Sequence, residues 1–288
     1  MHQVHGVRWT FQQAQRMLES SPGPTFLWIH IGAPHMPYFE VPDLPAGAPL
    51  EPERYSRIAD RDFLTISHDP DGGTRRVRAA YEAYVRFADR EFGQFVQSLE
   101  TAGLWEDTML VLTSDHGENM SPPNFGHGVG PLTSDQTHVP LLIRLPGQRD
   151  ERRVDEFVSH LDILPTILEQ VYQAPPGHLP GHSALAPALP RNRSVVAHGW
   201  FFHDKPNQRY GPLSSAVYQR GLAYTVNVTN GRDSLVDLEK RPLKRRAGQI
   251  SGLRTHLETF TSRFGPLPSH PPEFGAVGRM DPKPDMAR

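Results

Sequence analysis

Three short apolar runs constrain this chain more than any other feature. Residues 25–31 (TFLWIHI), 108–114 (TMLVLTS) and 139–145 (VPLLIRL) are almost continuously apolar, and turn chemistry bounds them: SSPGP and GAPHMP around the first, Pro146-Gly147 after the third. Such runs are too short for buried helices and read as strands covered on both faces. Between the first two, residues 75–102 place Val77, Tyr81, Tyr84, Ala88, Phe92, Phe95 and Leu99 at spacings of three and four, with Gly103 ready to cap the end. That period predicts an amphipathic helix. Strand, helix, strand predicts an α/β fold, a mainly parallel sheet flanked by helices, whose ligands sit beyond the carboxyl ends of the strands. GAPHMPY and SDHGEN both lie at such ends.

The later chain changes character. Asp162 is placed to cap a helix over ILPTILEQVY, where Pro165 falls in the tolerated first turn. A loop rich in Pro and Gly follows, and then SAVYQRGLAYTVNVTNGRDSLVDL alternates apolar and polar residues around Asn230-Gly231, a strong hairpin signal. A small antiparallel sheet is predicted, covered by a helix over 250–264. The expected division is therefore 1–190 as a partial α/β core, 191–264 as a small α+β subdomain, and 265–288 as a disordered Pro-rich tail.

Composition excludes several classes of function. A net charge of −2 supplies no global field for nucleic acid or an anionic membrane, so no nucleic-acid partner is expected. The chain contains no cysteine, which removes disulfides, thiolate ligands and a cysteine nucleophile from these 288 residues. No stretch is long enough to cross a bilayer, and the opening residues lack the apolar core of a signal peptide, so the chain reads as soluble and its localisation stays open. The basic cluster at 239–246 reads as a solvated face.

Chemistry concentrates in SDHGEN. Consecutive side chains point to opposite sides of a regular strand, so Asp115 and His116 reach one ion only where the strand has ended and the backbone turns, which Gly117 permits. A carboxylate oxygen beside an imidazole nitrogen suits divalent cations from calcium to manganese or zinc. An aspartate capping a turn beside an ordinary loop histidine is the alternative, and both stand at this point.

Taken in order, the segments from about Trp9 to Arg246 resemble the sulfatase family of the alkaline phosphatase superfamily. They comprise PHMPY (residues 34–38), the tyrosine-rich helix with its aspartate, the strand ending in SDHGE, FGHG (residues 125–128), THVPLLIRLPG, DILPT and SLVDLEKRP. The resemblance implies that Asp115 and His116 bind a divalent metal, calcium foremost, with magnesium, manganese or zinc as alternatives. It implies that His35 contacts the transferred group and assists breakdown of a covalent intermediate, and that His127 lies near the leaving-group oxygen as a proton donor. The implied substrate is a small anionic ester.

Two departures qualify it. The family's lysine after Gly-His-Gly has no counterpart in VGPLTSDQTHVP, and the Cys/Ser-x-Pro-x-Arg nucleophile element is absent, since SSPGP lacks the arginine. The family's other acidic ligands and a second lysine belong to a preceding segment. The expectation is thus a later portion of a sulfatase-like hydrolase, incomplete by itself and exposed to poor solubility through an uncovered sheet edge. A phosphodiesterase or phosphonate monoester hydrolase of the same superfamily is the alternative, and a catalytically silent anion-binding protein the third.

Overall fold

In the computed structural model of the chain, the described residues are 2–35, 38–40, 56–57, 70–121, 124–127, 132–172, 179–186, 189–190, 192–200, 212–227, 230–239 and 246–264. The tail at 265–288, most of the basic cluster at 239–246 and most of the Pro/Gly-rich loop after Tyr172 lie outside them. The chain forms two compact units, Met1–His127 with Asp135–Arg152, and Gly128–Ser134 with Arg153–Arg288.

The first unit is built on two helices. Helix α1 spans His2–Glu19 and helix α2 spans Pro70–Thr101. In α2 the buried positions Val77, Ala80, Tyr84, Phe87, Glu91, Phe95 and Leu99 recur every three or four residues. They form the apolar stripe that the sequence predicts, rotated enough to leave Tyr81, Ala88 and Phe92 at its margin. Gly103 ends the helix at a φ of 71°, with Leu104 N–H donating to Leu99 C=O and Gly103 N–H to Glu100 C=O, the paired bonds of a glycine C-cap. Helix α1 was not anticipated, although Val7, Phe11, Ala14 and Leu18 carry the same period. Phe11 stacks on Phe95 with ring centroids 5.2 Å apart. The Arg8 guanidinium grips the buried Glu91 carboxylate through two bonds of 2.7 and 2.8 Å.

Residues 25–31 depart from expectation. They run extended, with Leu27, Ile29 and Ile31 packed on the helical core, but Phe26 and Trp28 are each 74% exposed, and no sheet pairing among the described residues involves them. A strand buried on both faces needs a layer on each, and the described residues supply one only. Strands β3 (Leu110–Thr113) and β6 (Leu141–Arg144) form where the second and third apolar runs predict, yet they pair antiparallel, Leu110 opposite Arg144. Every pairing among the described residues is antiparallel, so the expected parallel ladder is not found among them.

The amino-terminal half of α2 serves the site. It buries Val77 and Ala80 against Tyr38 and Met120, which follow the PHMP and SDHGE elements in sequence. Short strands β1 (Phe39–Glu40) and β2 (Ser56–Arg57) pair beside Tyr38. Strands β4 (Asn119–Ser121) and β5 (Asn124–Gly126) form a hairpin in the register Asn119 opposite Gly126.

The second unit holds a four-stranded antiparallel sheet made of β7 (Val195–Trp200), β8 (Pro212–Gln219), β9 (Leu222–Asn227) and β10 (Asp233–Asp237), in the order β10-β9-β8-β7. Gly231 turns between β9 and β10 at a φ of 70°, as its sequence predicts. Helix α5 (Arg246–Phe264), numbered after α3 (Ser134–Thr137) and α4 (Ile163–Tyr172), lays Ile250, Leu253 and Leu257 over Val217, Tyr224 and Leu235. Asp162 is structural, but Ser159 is the N-cap: the two form a reciprocal capping box. Asp162 also accepts bonds from His182 N–H and from Arg193. No helix among the described residues is long and apolar enough to cross a membrane.

Candidate active site

Four histidine and aspartate positions singled out in the sequence meet in the first unit. After β3 the chain leaves the ladder at Ser114, whose hydroxyl donates to His116 C=O at 2.7 Å and holds the turn. His116 N–H donates to Asp115 Oδ1 at 3.1 Å. Gly117 does not take a positive φ, and the reason for glycine is space. Its N–H donates to Gln136 C=O at 2.7 Å, and a Cβ there would sit 2.1 Å from the Asp135 carbonyl oxygen of α3.

The three imidazoles cluster. Ring centroids of His116 and His127 are 4.0 Å apart, those of His35 and His127 4.8 Å, and those of His35 and His116 6.3 Å. His35 reaches the cluster from the turn after residues 25–31, where its N–H closes onto Gly32 C=O at 2.8 Å. Asp115 Oδ2 lies 3.9 Å from His116 Nε2 on the exposed side.

Bonding partners assign the ring nitrogens. His116 Nδ1 is 2.9 Å from Gly117 C=O, which can only accept, so Nδ1 carries the proton and a neutral ring leaves its Nε2 lone pair toward Asp115. A backbone carbonyl behind the ring is the usual support of a metal-binding histidine. The pair therefore fits a divalent cation: 3.9 Å is within the separation that two ligands with bonds of about 2.0–2.6 Å can adopt around one ion. It is a partial set, since no cluster of three or more His, Asp or Glu suited to a metal occurs among the described residues.

Glu118 is the residue that sequence reasoning passed over. Asn119 and Gly126 face each other in the hairpin, so residues 118 and 127 are the next pair outward, and Glu118 Oε1 meets His127 Nδ1 at 2.8 Å. Its side chain is 5% exposed. The bond to Glu118 holds the His127 imidazolium above the ordinary imidazole range, the charges of Glu118 and Asp115 add to this, and burial opposes it. Burial first, then the Glu118 charge, push the Tyr38 hydroxyl far above the ordinary phenol range, and Tyr81 shifts the same way for the same reasons. The only forewarning was its place beside Asp115 and His116 in SDHGEN.

The family model described as Sulfatase matches residues 8–173, more than half of the chain. An endo-4-O-sulfatase of Bacteroides thetaiotaomicron is 30% identical over 149 residues, covering 50% of this chain and 28% of that protein. The solved structure of a 2-O glycosaminoglycan sulfatase shares the fold at a TM-score of 0.66 and 19% identity, over 88% of this chain and 62% of that one. A phosphonate monoester hydrolase of Agrobacterium radiobacter shares it at a TM-score of 0.52 and 23% identity, over 66% of this chain and 42% of the other. The chain thus spans less than two thirds of the length of each.

Proposed function

The chain belongs to the sulfatase family, and from that premise we propose that it supplies part of the active centre of a metal-assisted hydrolase of sulfate esters. The observation that supports this is the meeting of His35, His116 and His127 within 6.3 Å, ring centre to ring centre, beside Asp115.

Asp115 and the bare Nε2 of His116 would hold the divalent cation, calcium before magnesium, manganese or zinc. Bound there, the cation supplies Lewis-acid neutralisation of the anionic ester. His35 is assigned to the transferred group. His127, whose pKa the bond to Glu118 raises, is assigned as the proton donor to the leaving-group oxygen, a role worth about 10²–10⁴-fold in rate. Residues 129–140 contain no lysine, so of the assigned groups the cation and His127 are the ones that would meet the substrate's negative charge. None of these four side chains is assigned as the nucleophile, and the chain has no cysteine.

Phosphodiester or phosphonate ester hydrolysis is the second reading, supported by the likeness in fold to a phosphonate monoester hydrolase. The 288-residue chain is assayed on an aryl sulfate and the matching aryl phosphodiester, each with calcium, manganese or no metal. Metal-dependent sulfate release supports the proposal, and a preference for the phosphodiester supports the second reading. Failure on both substrates with metal bound supports a silent anion-binding protein, and a chain that binds no divalent cation, or binds it equally well in D115N and H116Q, overturns the proposal.

A further inference from the structure

The hairpin that carries Glu118 to His127 bears on which nitrogen of His127 faces the reaction. An ionised carboxylate is acceptor-only, so a 2.8 Å contact with Glu118 Oε1 requires a proton on His127 Nδ1. In the neutral ring that leaves Nε2 bare, and among the described residues Nε2 has no hydrogen-bond partner. A neutral histidine side chain in water favours the opposite, Nε2–H tautomer, so the choice is imposed. Glu118 is itself held: it is almost wholly buried, with Tyr38 and Tyr81 facing its charge. The flanking Met120 is packed against Tyr38 and Val77 under α2.

We propose that Glu118 is a positioning residue, which fixes His127 as the Nδ1–H tautomer and presents Nε2 as its working nitrogen beside His35 and His116. The assignment deepens the hydrolase reading by naming the atom through which His127 would exchange a proton, and the reason that atom is always the same. Orientation follows from the same bond. The ring is braced at one nitrogen by a carboxylate on the opposite arm of a two-stranded hairpin, so it cannot flip to offer Nδ1 instead.

The test uses the metal-free chain with ¹⁵N-labelled histidine, in long-range proton–nitrogen spectra recorded at a pH well above the imidazole range, where the ring is neutral. His127 is assigned by its loss in H127Q. The expected spectrum shows His127 protonated at Nδ1 in the wild type, converted mainly to Nε2–H in E118A, and restored in E118Q, whose amide oxygen can still accept. A wild-type His127 in the Nε2–H form overturns the proposal and needs no variant to fold. So does an E118A protein that folds yet leaves the tautomer unchanged. The readout involves neither substrate nor metal, so a chain without esterase activity can still pass it, and an active one can fail. If the hydrolase reading holds, E118A lowers kcat about 10–100-fold with KM nearly unchanged, the scale expected when an orienting partner is lost.

Discussion

The carbonyl oxygen of Asp135 lies 2.1 Å from where a side chain on Gly117 would begin. Two backbones therefore touch behind the Asp115–His116 turn, and α3 is the wall against which that turn is pressed. A Cβ cannot be accommodated by a rotamer change, because the obstacle is main chain. Gly117→Ala should destabilise the first unit by at least about 1–3 kcal/mol, the usual scale of overpacking. Thermal unfolding checks it, and an unchanged Tm would contradict the contact.

The Arg8–Glu91 pair joins α1 to α2 with Glu91 only 2% exposed. Breaking a buried pair costs about 3–5 kcal/mol, and Glu91→Ala should fall near or below the lower figure because the remaining Arg8 side chain is 20% exposed. The double variant R8M/E91L, which replaces both charges by apolar groups, should recover most of that loss. Denaturant unfolding of the three proteins measures the difference.

His198 in β7 is bonded to Ser215 Oγ at 2.8 Å, and burial lowers its pKa below the ordinary 6.5. In the window between the lowered folded value and 6.5, the unfolded chain binds more protons than the folded one, so stability falls as pH drops. The contribution is fully present above pH 6.5 and fades as acid reaches the folded value. Comparison of Tm against pH for the wild type and H198Q should show the wild type losing more stability below that point.

Divalent cation binding at Asp115 and His116 should raise Tm by mass action, about 2.7 kcal/mol at a free concentration one hundred times Kd. D115N and H116Q should each remove most of the effect. An equal metal-induced shift in both variants would place the cation elsewhere.

Phe26 and Trp28 present an apolar stripe on the open side of residues 25–31. F26T/W28T should reduce light scattering at high concentration while changing stability by no more than about 0.5 kcal/mol, since surface substitutions away from buried contacts do little. A large drop in Tm would mean that these side chains are packed after all.

Much of this protein is written locally. The seven-residue apolar runs, the stripe of α2 with its Gly103 cap and the Asn230-Gly231 turn are each decided within a few residues of themselves, by side-chain period and backbone sterics. The same holds for the chemistry of SDHGEN, because a carboxylate and an imidazole at a strand's end are informative wherever the strand goes. Long-range pairing is another matter. Whether Leu110 faces Arg144 in an antiparallel ladder depends on which edge the returning chain meets. Whether Phe26 and Trp28 are covered depends on which layers lie over them, and the preference of each strand alone contains neither choice. Glu118 shows the boundary most clearly: its neighbours mark it as interesting, but its meeting with His127 follows from the hairpin register nine residues on, and its charge acquires meaning only once Tyr38 and α2 have closed over it and excluded water.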